Sequence, residues 1–278
     1  MKDRIGFMQG RLSKIVNGKI QAFPQECWEH EFEYANDIDI RVMEWTLDQE
    51  NLKQNPLMME EGRRRIKFLS EKFNLKIPSL TGDCFMQAPF WKAEKTKAKF
   101  LQKDFIDVVN ASSNLGIKYI VVPVVDNGSI ETQKQSSYLA AFLNDQIELF
   151  KKNNIKIIFE LELTPSDVGK FIEKYTSEIF GINYDIGNSA SMGYDPIEEI
   201  NIYGDRILNV HVKDRLLGGS TVELGRGNAD FDKVFSLFKK INYQGNFILQ
   251  TARARDNEHS ELISKYRNMI ISWLKEFN

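Results

Sequence analysis

Ile207-Leu208-Asn209-Val210-His211-Val212-Lys213-Asp214 is the stretch whose reading decides the fold. Apolar residues at Ile207, Leu208, Val210 and Val212, followed by the turn-rich Gly218-Gly219-Ser220, predict a buried β-strand with polar residues gathered at its end. Successive side chains of a strand point to opposite faces, so His211 looks one way while Val210 and Val212 look the other. A lone histidine in a strand is ordinarily a hydrogen-bonded core residue. This one has company, because Ile157-Ile158-Phe159-Glu160 and Ile182-Asn183-Tyr184-Asp185 are strand-like runs that also end in titratable groups.

Outward from these three runs the same unit repeats. Strands are predicted over 4–9, 41–45, 75–80, 117–124, 155–163, 180–185, 207–214 and 247–250. Helices are predicted over 28–36, from Pro56 to about 73, from about 92 to 114, 132–153, 166–175, a short one after Asp195-Pro196, 230–240 and 260–277. Ile117 to Val124 is nearly continuously apolar, as a parallel strand covered on both faces requires. Eight strands alternating with helices, with no internal linker or low-complexity segment, predict one (β/α)₈ barrel over residues 1–278; a doubly wound open sheet is the alternative. The segment from Gly82 to Trp91 is too aromatic for a plain turn, and Phe85 to Trp91 reads equally as a hydrophobic lid or an oligomer contact.

Composition limits the function classes. With 37 Lys and Arg against 39 Asp and Glu, the net charge is −2, which offers no field for nucleic acid or an anionic membrane. No apolar run approaches the roughly 18 residues of a membrane span, and the first residues lack a signal-like apolar core, so a cytoplasmic protein is expected. Cys27 and Cys84 lie far apart with no CxxC spacing, which predicts reduced structural thiols.

In a (β/α)₈ barrel the C-terminal strand ends aim side chains at one axial point. Glu160, Asp185 and His211 stand at equivalent ends of consecutive strands. Two carboxylates and an imidazole suit one divalent ion such as Mn²⁺, Co²⁺, Zn²⁺, Fe²⁺ or Mg²⁺, and leave positions open for water and substrate. The eighth strand should supply a fourth group, and the residue at its end is Gln250.

The motifs Met8-Gln9-Gly10-Arg11-Leu12, Phe159-Glu160, Tyr184-Asp185-Ile186-Gly187-Asn188, Val210-His211-Val212-Lys213-Asp214 and Leu224-Gly225-Arg226-Gly227-Asn228-Ala229-Asp230-Phe231 carry a resemblance over nearly the whole chain. The chain resembles the xylose isomerase-like TIM barrels of the sugar phosphate isomerase/epimerase family, in the AP endonuclease 2 superfamily. The resemblance implies a metal-dependent isomerase or epimerase of sugars or sugar phosphates, acting by proton transfer next to a carbonyl. It makes Glu160, Asp185 and His211 metal ligands, with Glu160 also the base. Gln250 stands where the ketose 3-epimerases have a second proton-exchanging glutamate. An amide can ligate a metal through its oxygen but cannot shuttle a proton. Glu162, two residues beyond Glu160 and on the same face, is the candidate replacement.

Lys213 is a candidate to stabilise an enediolate oxygen. Arg226, Arg253 and Arg255 are candidates for an anionic sugar group. Gln9, Arg11, Glu44, Trp45 and Asn188 follow strand ends as candidates for substrate contacts, Trp45 as a stacking face. Three alternatives remain in view. One is a keto-sugar or keto-inositol dehydratase on the same site, and another a sugar-binding protein that has lost catalysis at Gln250. The third, an endonuclease IV-like phosphoesterase, is disfavoured because three histidines, His30, His211 and His259, are too few for its zinc cluster. The expected partner is a small-molecule sugar or sugar phosphate, and a homo-oligomer is compatible with the family.

Overall fold

Eight parallel strands close into a ring in the computed structural model, which describes residues 2–254 and 258–276. They are β1 (Ile5–Met8), β2 (Val42–Thr46), β3 (Lys76–Thr81), β4 (Tyr119–Val124), β5 (Lys156–Leu161), β6 (Phe180–Asp185), β7 (Ile207–Val212) and β8 (Asn246–Leu249). β1 pairs with β8 through Gly6 opposite Ile248, and with β2 through Met8 opposite Glu44. That closure excludes the open doubly wound sheet. Lys213 and Asp214 lie beyond the end of β7, and Gln250 lies one residue past β8.

The helices start and stop where local chemistry dictates. Thr132 and Gln135 form a reciprocal capping box, and Thr164 caps a helix that begins at Pro165. Asn74 and Asn154 end their helices in the left-handed region, which asparagine tolerates. The helix predicted over 132–153 is two, Gln133–Asp145 and Ile147–Asn153. Among the described residues no helix is long and apolar enough to cross a membrane.

Two apolar layers position the site. The larger fills the space between strands and helices. The smaller, Met8, Val42 and Ile248, is a separate cluster that fills the barrel axis as a floor. Gly6 makes room there, since a Cβ would fall 2.7 Å from Val42 Cγ1. The aromatic side chains of the segment after β3 belong to the larger layer, while its Asp83, Met86 and Gln87 line the cavity described below. Phe85 and Phe90 pack against Phe105 and Phe142 with ring centroids 4.6 and 4.7 Å apart, and Trp91 is buried and donates to the Gly128 carbonyl at 2.9 Å. A short helix, Asp83–Gln87, opens this segment.

Candidate active site

Above the floor the barrel interior turns polar. One ligand atom each from Glu160, Asp185 and His211 lies within 4.8 Å of the other two, and all three residues are buried. His211 Nδ1 is 3.1 Å from Glu160 Oε2 and 4.0 Å from Asp185 Oδ2, without the alignment of a hydrogen bond. Lys213 Nζ sits 2.7 Å from Asp185 Oδ2 as an ion pair, again outside hydrogen-bonding angles. Gln250 Oε1 is buried with no hydrogen-bond partner, while its Nε2 donates to Gln21 Oε1 at 3.0 Å. Burying such atoms unpaired is costly unless a cation or substrate completes them. Two carboxylates, an imidazole nitrogen and a free amide oxygen fit a divalent ion.

The surrounding polar groups fix each ligand. Asn188 Nδ2 and Asn183 Nδ2 donate to the two oxygens of Glu160 at 2.9 and 3.0 Å, and Asn188 N donates to Asp185 Oδ1 at 2.8 Å. Glu44 accepts from Ser79 Oγ at 2.7 Å, Asn209 Nδ2 at 2.9 Å and Thr81 Oγ1, and it holds His211 Nε2 at 2.7 Å. Placed below the histidine and fully buried, Glu44 orients the imidazole so that Nδ1 faces the carboxylates. Expected among the substrate contacts, it is absent from the wall of the cavity described below.

These neighbours shift the titrating groups together. Burial disfavours the imidazolium, but Glu44 and Glu160 outweigh it and push His211 up to about 10. Burial acts to raise Glu160, yet His211, Lys213 and Asn183 hold it below its usual range. Burial and the adjacent Glu160 raise Asp185 against the pull of Lys213. A cation among them competes with the proton on His211.

The site opens into a cavity of about 460 Å³. Of the residues predicted from sequence, Arg11, Glu160, Glu162, Asn188, Lys213 and Gln250 line it. Trp45 does not. It is fully buried on the helix side of β2, 5.5 Å from Phe23 and 5.6 Å from Trp28 between ring centroids, and donates to Asn55 Oδ1 at 3.1 Å. Gln9 is also fully buried, and its Oε1 accepts from Thr46 N at 3.2 Å. Arg226 is exposed and absent from the cavity wall. Arg253 donates to the carbonyls of Gly10 and Ser13, stapling the loop after β1, and is absent from the cavity wall. Arg255 lies outside the described residues.

The cavity contains residues that were not anticipated. Arg215 Nη1 bridges Asn188 Oδ1 at 2.9 Å and Glu162 Oε1 at 3.2 Å. Asp83 and Gln21 also line the wall. The loop that carries Arg215 is held by Asp214, whose carboxylate accepts from the backbone of Gly225, Gly227 and Ala229 at 2.9, 2.8 and 3.1 Å. A Cβ on Gly227 would fall 2.1 Å from Asp214 Oδ1. Gly227→Ala should therefore cost about 1–3 kcal/mol through this clash, read as a lowered midpoint in urea; an unchanged midpoint would show that the loop yields freely.

Known proteins resemble this chain in sequence and fold. A putative L-ribulose-5-phosphate 3-epimerase of Haemophilus influenzae is 24% identical over 295 residues, spanning 99% of this chain and 98% of that protein. An inosose dehydratase of Clostridium tetani is 27% identical over 172 residues, 52% of this chain and 57% of that one. The crystal structure of the IOLI protein with a bound zinc atom shares the fold, with a TM-score of 0.74 at 15% identity over 99% of both chains. The description of the xylose isomerase-like TIM barrel matches residues 32–272, and the chain belongs to that family.

Proposed function

We propose that this protein is a divalent-metal-dependent isomerase or epimerase of ketoses or ketose phosphates, working by proton transfer next to the carbonyl. The observation that supports it is the buried convergence of Glu160, Asp185 and His211, with His211 Nδ1 and Asp185 Oδ2 lacking hydrogen-bond partners, next to a cavity whose wall includes Glu160 and Gln250. These residues would hold the ion, Gln250 as the fourth donor. When bound, a divalent ion polarises a carbonyl and its neighbouring hydroxyl and lowers the cost of removing the carbon-bound proton.

The chain's own groups supply the rest. Glu160 is kept ionised and fixed by two asparagines, so it is ready to remove the proton. Lys213 at the cavity wall offers positive charge to the enediolate oxygen. Arg11 and Arg215 line the same cavity, a pair suited to a phosphate or other anionic group of the sugar. Similarity to the L-ribulose-5-phosphate 3-epimerase makes that class of ketose phosphate the first to test.

Metal analysis with Mn²⁺ titration tests the reading. Wild type should bind one ion per chain, and saturation near 100 times Kd should stabilise it by about 2.7 kcal/mol. His211→Ala should lose both. In D₂O the loaded wild type should wash deuterium into one carbon of a ketose phosphate. An unmoved midpoint together with no exchange would sink the reading.

A second reading is favoured by one observation, that Gln250 cannot return a proton. Dehydration of a keto-inositol begins with the same proton removal; the neighbouring C–O bond then breaks as its oxygen takes the proton held by Glu160 and leaves as water, and carbon is not reprotonated. Loss of water from an inosose, seen by mass spectrometry with no exchange into ketoses, would select it.

A further inference from the structure

Inverting a carbon next to a carbonyl needs a proton-exchanging group on each face, and Glu160 can serve only one. This inference rests on the reaction proposed above. Besides Glu160, the carboxyl groups lining the cavity belong to Asp83, Asp126 and Glu162. Asp126 is exposed to solvent. Glu162 continues the strand that carries Glu160, so it approaches from the same side, and it is tied to Arg215 at 3.2 Å. Asp83 is different in both respects.

Asp83 opens the short helix after β3 and is only 6% exposed. Gln21 Nε2 donates to its Oδ2, while Gln21 Oε1 accepts from Gln250 Nε2 at 3.0 Å and Arg11 Nη2 at 3.2 Å. Among the described residues Asp83 Oδ1 has no hydrogen-bond partner and no lysine or arginine forms an ion pair with the carboxylate. In the ring β5 stands opposite β1. Gln21 follows β1, directly across the ring from β5, Gln250 follows β8, and Asp83 follows β3, two strands from β5, so Asp83 reaches the shared cavity from a different side than Glu160 and Glu162 do.

We propose that Asp83 is the second acid–base residue, exchanging the proton on the face of the reacting carbon opposite Glu160. In one direction Glu160 takes the proton from carbon, and the C–H electron pair moves into the enediolate. The Asp83 carboxyl then gives its proton to the other face, which restores the carbonyl as the epimer and leaves the Asp83 carboxylate. The reverse direction exchanges the two roles, and both groups re-equilibrate with solvent between turnovers. Burial, opposed by the Gln21 hydrogen bond and aided by Asp48 and Glu160, pushes Asp83 up to about 7. Both of its protonation states are therefore populated near neutrality, as a group that alternates between acid and base requires.

The test uses Mn²⁺-loaded protein in D₂O with L-ribulose 5-phosphate and, separately, its 3-epimer. Wild type should interconvert the two with deuterium at C3. Asp83→Asn should slow interconversion about 100-fold or more, yet one of the two sugars, the one whose C–H faces Glu160, should still gain deuterium without converting. The other sugar should do neither, and Glu162→Gln should not reproduce this one-sided exchange. The Mn²⁺-induced rise in melting midpoint should be the same in Asp83→Asn as in wild type. Interconversion by Asp83→Asn at the wild-type rate overturns the assignment, as does the one-sided exchange appearing in Glu162→Gln instead. Loss of the Mn²⁺ response in Asp83→Asn also overturns it, by showing a structural role. A wild type that binds Mn²⁺ but exchanges with neither sugar overturns the proposed reaction, and the role of Asp83 with it.

Discussion

Glu44→Ala is expected to destabilise the protein by about 3–5 kcal/mol and to weaken divalent-ion binding about 10–100-fold. The carboxylate is fully buried and satisfies groups from β3 and β7 at once. Its removal leaves two hydroxyls, an amide and an imidazole without their acceptor between the apolar floor and the metal ligands. Glu44→Gln keeps the shape but turns an amide N–H₂ toward groups that donate, so it should fall between wild type and alanine. Urea unfolding without metal measures the first effect, and Mn²⁺ titration of the still-folded variants measures the second. A loss in alanine no larger than an exposed substitution, about 0.5 kcal/mol, would show that water replaces the carboxylate and that His211 is oriented by other means.

Asp83→Asn should make the protein more stable, and increasingly so with pH. The carboxyl is raised from 3.8 to about 7 by burial. A group whose folded pKa is raised contributes stability that is complete below its unfolded pKa and is lost as pH rises through the folded value. Wild type therefore loses stability between about pH 4 and 7 from this residue, and above pH 7 bears a buried charge. Asparagine keeps an acceptor for Gln21 and has no charge to bury. At 1.36 kcal/mol per pKa unit the gain at pH 8 is on the order of 2–4 kcal/mol, and it should vanish near pH 4. A stability difference that does not change between pH 4 and pH 8 would refute the raised carboxyl. A group that costs stability at working pH is characteristic of a site kept for chemistry.

The framework of the protein is legible because buried parallel strands write themselves as apolar runs. Three strand ends with titratable groups were enough to bring Glu160, Asp185 and His211 together. The errors share one cause, which is direction. Glu44 and Trp45 are adjacent in β2, so only one can face the axis; alternation gives that place to Glu44 and sends Trp45 to the helix layer. The same rule could have found Asn183 and Asn209, each two residues before a ligand and therefore on its face. Arg215, two residues beyond Lys213, carries a similar signal. Asp83 and Gln21 carry none, since they are 62 residues apart and meet only when the loops after β1 and β3 fold over the ring. Arg226 and Arg253 show the complementary problem, because a loop arginine reads the same in sequence whether it faces a ligand, solvent or a backbone carbonyl.

The pairing of β1 with β8 has a consequence for association. Every barrel strand has a neighbour on both sides, so the ring offers no row of unpaired N–H and C=O groups to another chain. Apart from the two-residue ladder of Asp214–Arg215 with Thr221–Val222, the described residues hold no β-structure with an open margin. Two copies of this protein cannot join by extending a common sheet, and any assembly they make has to be built from the surfaces of helices and loops.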